Sequence, residues 1–114
     1  MHDRTHSDQR VKIELLTFEE CPNAQAAREL VDRVVAESRA EVEIANVNVA
    51  DSQAAERLRF LGSPTIRVDG RDIEPDADER KEFALACRIY RANERIAGVP
   101  GDRWLRDALE VSRR

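Results

Sequence analysis

Early in the chain the spacing of apolar residues changes once, and the change falls on a Cys–Pro pair. Val11, Ile13 and Leu15 alternate, the period of one face of an extended segment. Beyond Cys21-Pro22, the residues Ala27, Leu30, Val31, Val34 and Val35 recur at three and four, the period of one helix face. Pro22 suits a first helical position, where its missing N–H has no partner to lose. The pattern predicts a strand over residues 11–17 and a helix over residues 22–38, with Glu29, Asp32, Arg33 and Glu37 on its wet side. Cys21 is then at or beside the N-cap, where free N–H groups and the helix dipole favour a thiolate. Glu19 and Glu20 directly before it oppose that by like charge, although in a loop they can turn to screened solvent. Only modest activation of the thiol is expected.

The pattern then repeats. Residues 41–49 read as a second strand with Val42 and Ile44 on one face and Ala45, Val47 and Val49 on the other. Apolar residues on both faces suit an interior parallel strand. Asp51 or Ser52 can cap a short helix over residues 53–61, with Ala54, Ala55, Leu58 and Leu61 as its apolar face and Gly62 at its C′ position. Strand, helix, strand, helix with short joints is the βαβ signature. Residues 65–68 form a third strand. Asp69-Gly70 is a two-residue hairpin turn, and residues 71–74 begin an antiparallel partner that Pro75 ends. The acidic run at residues 76–82 reads as a solvated loop, without the glycine pattern of a calcium loop. Residues 83–91 fit either period; the expected reading is a turn of helix and then a strand over residues 87–90. Residues 92–100 read as a loop. Asp102 can cap a last helix over residues 103–111, with Trp104, Leu105, Ala108 and Leu109 facing inward.

Composition narrows the function classes. With 114 residues, 41% apolar and only 4% aromatic, the chain supports one core of aliphatic residues and alanine. Residues 1–10, which hold His2 and His6, are polar and aperiodic and are expected to be a disordered tail. Residues 11–114 are expected to form a single domain. The net charge of −4, without a basic stripe interleaved with aromatics, argues against nucleic acid and anionic membrane as partners. No apolar run is long enough to span a bilayer and no secretory h-region follows Met1, so a cytoplasmic location is expected. Cys21 and Cys87, the two cysteines, are too few for a disulfide scaffold. In a reducing compartment they are thiols with a redox, metal or packing role.

A Cys-Pro at a strand-to-helix joint, followed by Ser63-Pro64-Thr65 at the start of a third strand, resembles the thioredoxin-like fold in its glutaredoxin-sized, small bacterial form. The resemblance implies an α/β domain with a mixed sheet, helices on both faces and the order β-α-β-α-β-β-α. It implies an active cysteine at the N-terminus of the first helix and a cis-proline, here Pro64, lying against it. Backbone groups beside that proline would pair with an extended thiol substrate, making Pro22, Ser63, Pro64 and Thr65 substrate-contacting residues. The match covers residues 11–73 well and residues 101–111 in outline. Residues 75–100 exceed what such a core needs and read as an insertion or an extra strand.

The chain departs from the family in one respect. Cys21-Pro22-Asn23-Ala24 lacks the second cysteine of a Cys-x-x-Cys dithiol, so a disulfide within this motif is impossible. Three readings follow. The first is a monothiol thiol–disulfide oxidoreductase or thiol-exchange protein, with Cys21 as nucleophile and Cys87 as a possible distant resolving thiol. Its partner would be a thiol or disulfide substrate, a protein included. Free cysteine is often fully buried, so a packing role is the heavier expectation for Cys87. The second reading is a soft-metal or organomercurial-handling protein using both thiolates. The SPTIRVDGRDIEP stretch and Cys87-Arg88-Ile89-Tyr90 are loosely similar to the organomercurial lyase core. No Cys-x-x-Cys pair or histidine spacing supports structural zinc, and no resident metal or cofactor is expected. The third is a binding module without chemistry; against it, cysteine is a poor structural N-cap. Arg67, Arg71 and Arg88 are expected at the surface, where they could line a cleft for an acidic or thiolate substrate. Tyr90 fits a pocket or the core edge equally, and Trp104 fits the core.

Overall fold

Val11, Ile13, Leu15 and Leu16 are all at most 1% exposed, and they make β1 (Val11–Thr17) the centre of the molecule. A computed structural model describes residues 10–92 and 95–112; His2 and His6, with all of the expected tail except Arg10, lie outside the described residues. The helix α1 (Ala24–Ser38) returns the chain so that β2 (Val42–Asn48) pairs parallel with β1, from Val11↔Val42 to Thr17↔Asn48. The short helix α2 (Ser52–Arg57) leads to β3 (Thr65–Val68), which runs antiparallel along the other edge of β1, from Ile13↔Val68 to Leu16↔Thr65. A tight turn through Asp69 and Gly70, both at positive φ, joins β3 to β4 (Arg71–Asp72). The sheet order is β2-β1-β3-β4. The last helix, α3 (Asp102–Ser112), packs beside α1.

The strand alternation divides the core in two. Val11, Ile13 and Leu15 of β1, with Ile66 and Val68 of β3, meet Ala27, Leu30, Val31 and Val34 of α1 and Leu105 and Leu109 of α3. Leu16 points the opposite way and packs with Val49, Ala54, Ala55 and Phe60 around α2. Helices therefore cover both faces, as expected for a mixed thioredoxin-like sheet.

Several boundaries differ from the sequence reading. β2 is an edge strand and not an interior one, because β3 takes the other side of β1; Ile44 is 38% exposed. α1 begins at Ala24 with Asn23 as N-cap, so Cys21 stands two positions before the cap. α2 is shorter than residues 53–61, and Gly62 does not end it. Arg59 does, at φ 55°: Phe60 N donates to Ala55 O at 2.8 Å and Arg59 N to Glu56 O at 3.1 Å. Those two bonds close a Schellman motif. The acidic run contains a 3₁₀ turn, Ala77–Glu79. Residues 83–89 form neither the expected helical turn nor a strand. The strand starts at Tyr90 and pairs within a separate hairpin, β5 (Tyr90–Ala92) with β6 (Arg95–Ala97), where a loop was expected. This hairpin is the insertion that residues 75–100 were expected to contain.

Candidate functional site

Thr65 opens β3 opposite Leu16, near the end of β1, so Pro64 and Ser63 continue past the sheet beside the turn that leads to Cys21. In that turn Cys21 N donates to Phe18 O at 3.1 Å, and Ala24 N donates to Cys21 O at 3.4 Å. The Ser63–Pro64 peptide bond is cis. Cys21 is 9% exposed, more covered than a bare loop thiol. Glu19 and Glu20 beside it are exposed. The N-terminus of α1 has no side-chain cap and no acidic residue in its first turn, which leaves its positive pole uncompensated. The Asn23 side chain lies against Gly98 instead, so close that a Cβ on Gly98 would fall 2.1 Å from its amide nitrogen. The segment after β6 thus reaches the turn that carries Cys21.

The inserted segment also reaches the proline loop. Ser63 N donates to Ala86 O at 2.8 Å, and Arg88 N donates to Ser63 O at 2.9 Å. Both backbone groups of Ser63 are therefore used by the chain's own residues, in an isolated parallel bridge between Ser63 and Cys87. Ala84 N donates to Phe60 O at 3.0 Å, extending the contact upstream. Cys87 is exposed, contrary to the packing role that weighed more heavily from sequence. In a segment extended along Ser63, successive side chains point to opposite sides. Arg88 and Tyr90 turn inward, and Cys87 and Ile89 face solvent, Ile89 at 54% exposure.

Arg88 corrects a second expectation. It does not line an open cleft; it is 2% exposed. Its Nη1 donates to Thr65 Oγ1 at 2.8 Å and to Asp72 Oδ2 at 2.7 Å. Its Nη2 donates to Asp72 Oδ1 at 3.1 Å and to Glu74 Oε1 at 2.6 Å. The fork on Asp72 is bidentate, the geometry a planar guanidinium suits. Burial works against the charge, but the hydrogen bond to Asp72 and the attraction of the surrounding acidic groups outweigh it, so Arg88 titrates above the ordinary arginine value. Tyr90 is 3% exposed and donates from its hydroxyl to Pro64 O at 2.5 Å. Burial pushes its phenol above the usual value, with Arg88 pulling the other way. Its ring also packs under the Arg88 guanidinium, 4.6 Å from the centroid, and 6.2 Å from the Trp104 ring. Thr65 Oγ1 completes the loop by donating to Gly62 O at 2.6 Å. Ser63 Oγ and Arg88 Nε are buried without a hydrogen-bond partner among the described residues.

Of the residues picked out from sequence, Ser63, Pro64 and Thr65 are joined by this hydrogen-bond frame, Cys87 is set opposite Ser63 by the bonds of its neighbours Ala86 and Arg88, and the register brings the Cys21 turn to the same end of the sheet. Pro22, exposed, is next to Cys21 in the chain and has no part in the frame. Arg67 lies elsewhere: its Nη2 donates to Leu58 O at 2.7 Å and to Arg59 O at 3.1 Å, satisfying carbonyls at the end of α2. Arg71 is exposed. Asp72, Glu74, Gly62 and Asn23 were missed as site residues. Asp72 and Glu74 are 16 and 14 positions from Arg88, and no local spacing marks such a trio. Among the described residues no three His, Cys, Asp or Glu side chains gather as a metal site. A cavity of about 540 Å³ lies between β4 and α3; it is lined by Phe83, Trp104 and Asp107 among others, and by neither cysteine.

The chain is 38% identical over 66 residues to a thioredoxin of Methanocaldococcus jannaschii, an alignment covering 57% of this chain and 76% of that one. It superposes on the crystal structure of chloroplastic thioredoxin z with a TM-score of 0.55 at 14% identity, covering 94% of this chain and 81% of the other. No family model matches.

Proposed function

The chain belongs to the thioredoxin-like superfamily, and on that premise we propose that it is a thiol–disulfide exchange protein in which Cys21 is the nucleophile and Cys87 the second thiol. The observation that carries this reading is the bridge from Cys87 to Ser63, which brings the second cysteine to the loop beside the Cys21 turn. The N-terminus of α1, which follows Cys21 closely in the chain, carries no side-chain cap and leaves its N–H groups free to face a bound sulfur.

The exchange balances as two displacements. The Cys21 thiolate attacks one sulfur of a substrate disulfide. A new S–S bond forms, and the departing substrate sulfur leaves as a thiolate that takes up a proton. The Cys87 thiolate then attacks the Cys21 sulfur. The substrate's second sulfur is released as a thiol, and the protein is left with a Cys21–Cys87 disulfide. The substrate gains two electrons and the protein loses two. A thiol reductant of the small-molecule or dithiol-protein class returns the pair to its reduced state. Pro64 and Ser63 shape the approach to Cys21, with Thr65 holding the loop from below through Gly62. The substrate is a disulfide, that of a polypeptide included.

Intact mass spectrometry after mild oxidation, with free thiols counted by alkylation, tests this. The expected result is a monomer that has lost both thiols and about two mass units, the signature of one internal disulfide. A Cys21 adduct with Cys87 still free would leave a monothiol protein and remove Cys87 from the mechanism. Failure of Cys21→Ser to abolish disulfide reduction would remove Cys21 as well.

A further inference from the structure

We infer that Arg88 is a positioning residue, which holds the Cys87 thiol at the Ser63–Pro64 loop and so sets how readily it pairs with Cys21. This rests on the two-thiol reading above. Cys87 itself is exposed, and neither its N–H nor its C=O makes a hydrogen bond with the described residues. What fixes it lies on either side. Ala86 O and Arg88 N clasp Ser63, and the Arg88 guanidinium is bonded to Thr65, Asp72 and Glu74. Arg88 therefore ties one short segment to β3 through Thr65 and to β4 through Asp72. The fit is close. A Cβ built on Gly62, at φ +122°, would lie 3.0 Å from Arg88 Cβ and 3.1 Å from Ala86 O. Only a residue without a side chain lets the segment dock here. Tyr90 adds a further tether, its hydroxyl on Pro64 O. A thiol restrained in this way meets its partner at high effective concentration, and one on a loose loop does not.

The readout is the equilibrium constant of the Cys21–Cys87 disulfide against glutathione, measured on folded protein. Arg88→Lys keeps the charge but loses the bidentate fork. It is expected to destabilise the disulfide by about tenfold, equivalent to a potential about 30 mV less reducing. Gly62→Ala leaves Arg88 intact but pushes the segment outward, and should move the constant in the same direction. A merely structural Arg88 would lower the melting temperature and leave this constant unchanged in the folded state; an unchanged constant in both variants overturns the inference. Should neither variant fold, hydrogen exchange on the wild-type protein decides. The Arg88 amide, bonded to Ser63 O, should be protected in the reduced and oxidised forms, and exchange at the rate of an open chain overturns the positioning role. Absence of an internal disulfide in the wild-type protein is a different failure: the two-thiol reading then falls, and the positioning of Cys87 with it.

Discussion

Asn23 stands at the N-cap of α1, and its residue type is among the best for capping, yet its amide does not cap. The side chain is drawn instead against Gly98. The free helix pole beside Cys21 is thus a consequence of a long-range contact. Asn23→Asp keeps the size and adds a carboxylate. It should stabilise α1 by about 1 kcal/mol through the dipole, seen as a higher urea midpoint. The same charge opposes a thiolate nearby, so alkylation of Cys21 by iodoacetamide at pH 7, in a Cys87→Ser background, should slow by about threefold to tenfold. Equal rates in the two proteins would mean that the pole of α1 does not reach the sulfur. Cys21 and Pro64 could be picked out as candidates because their local setting, a strand-to-helix joint and a Ser-Pro-Thr before a strand, carries a signal. Arg88 was not, because burial of an arginine depends on carboxylates supplied by another hairpin.

At the scale of elements, α3 is tied to α1 by charge as well as by packing. Asp102 Oδ1 accepts from Arg33 at 2.6 Å, and Arg106 bridges Asp102 at 3.3 Å and Glu37 at 2.6 Å. Slight burial would raise the Asp102 carboxyl, but the hydrogen bonds from Arg33 and Arg106 outweigh it and hold it below its ordinary value. A carboxyl lowered in the folded state stabilises fully above its unfolded value, about 4, and loses that stabilisation as pH falls through the folded value. Asp102→Asn should therefore cost under about 1 kcal/mol of stability at pH 7 for groups this exposed, read as a slightly lower urea midpoint. The gap between variant and wild type should close as the pH drops below about 4; a gap constant down to pH 2 would assign the effect to packing. The sequence placed α3 to within a residue or so because the 3.6-residue apolar period is local. It misread the end of α2, where Arg59 takes the left-handed C′ position in place of Gly62. Glycine is the cheapest residue there but not a required one, and the Phe60 side chain, packed with Ala54 and Ala55, compensates for an arginine at φ 55°.

For the whole molecule, the two faces of the sheet are unequal. The face covered by α1 and α3 holds the larger cluster, and the α2 face rests on few side chains, of which Phe60, fully buried, is the largest. Phe60→Ala should cost about 3–5 kcal/mol, the usual range for an aromatic core truncation. Phe60 O also accepts from Ala84, so the loss should loosen residues 84–88 together with α2. Hydrogen exchange would show this as deprotection confined to those segments, while β1 and α1 keep theirs; uniform loss across the chain would mean that the two clusters act as one cooperative core.

The sequence by itself determined the order of the central elements, the division of β1 between two faces, the hairpin at Asp69-Gly70 and the placement of Cys21 at a strand-to-helix joint. Each of these follows from a period or a turn preference that acts over a few residues. The tertiary structure alone decided the rest. It made β2 an edge, because an edge is defined by which strand takes the other side of β1. It moved the weight of Cys87 from packing to exposure, because its neighbours Arg88 and Tyr90 found partners inside. And it joined Ser63 to residues 86–88, a pairing between segments remote in sequence that no local period records.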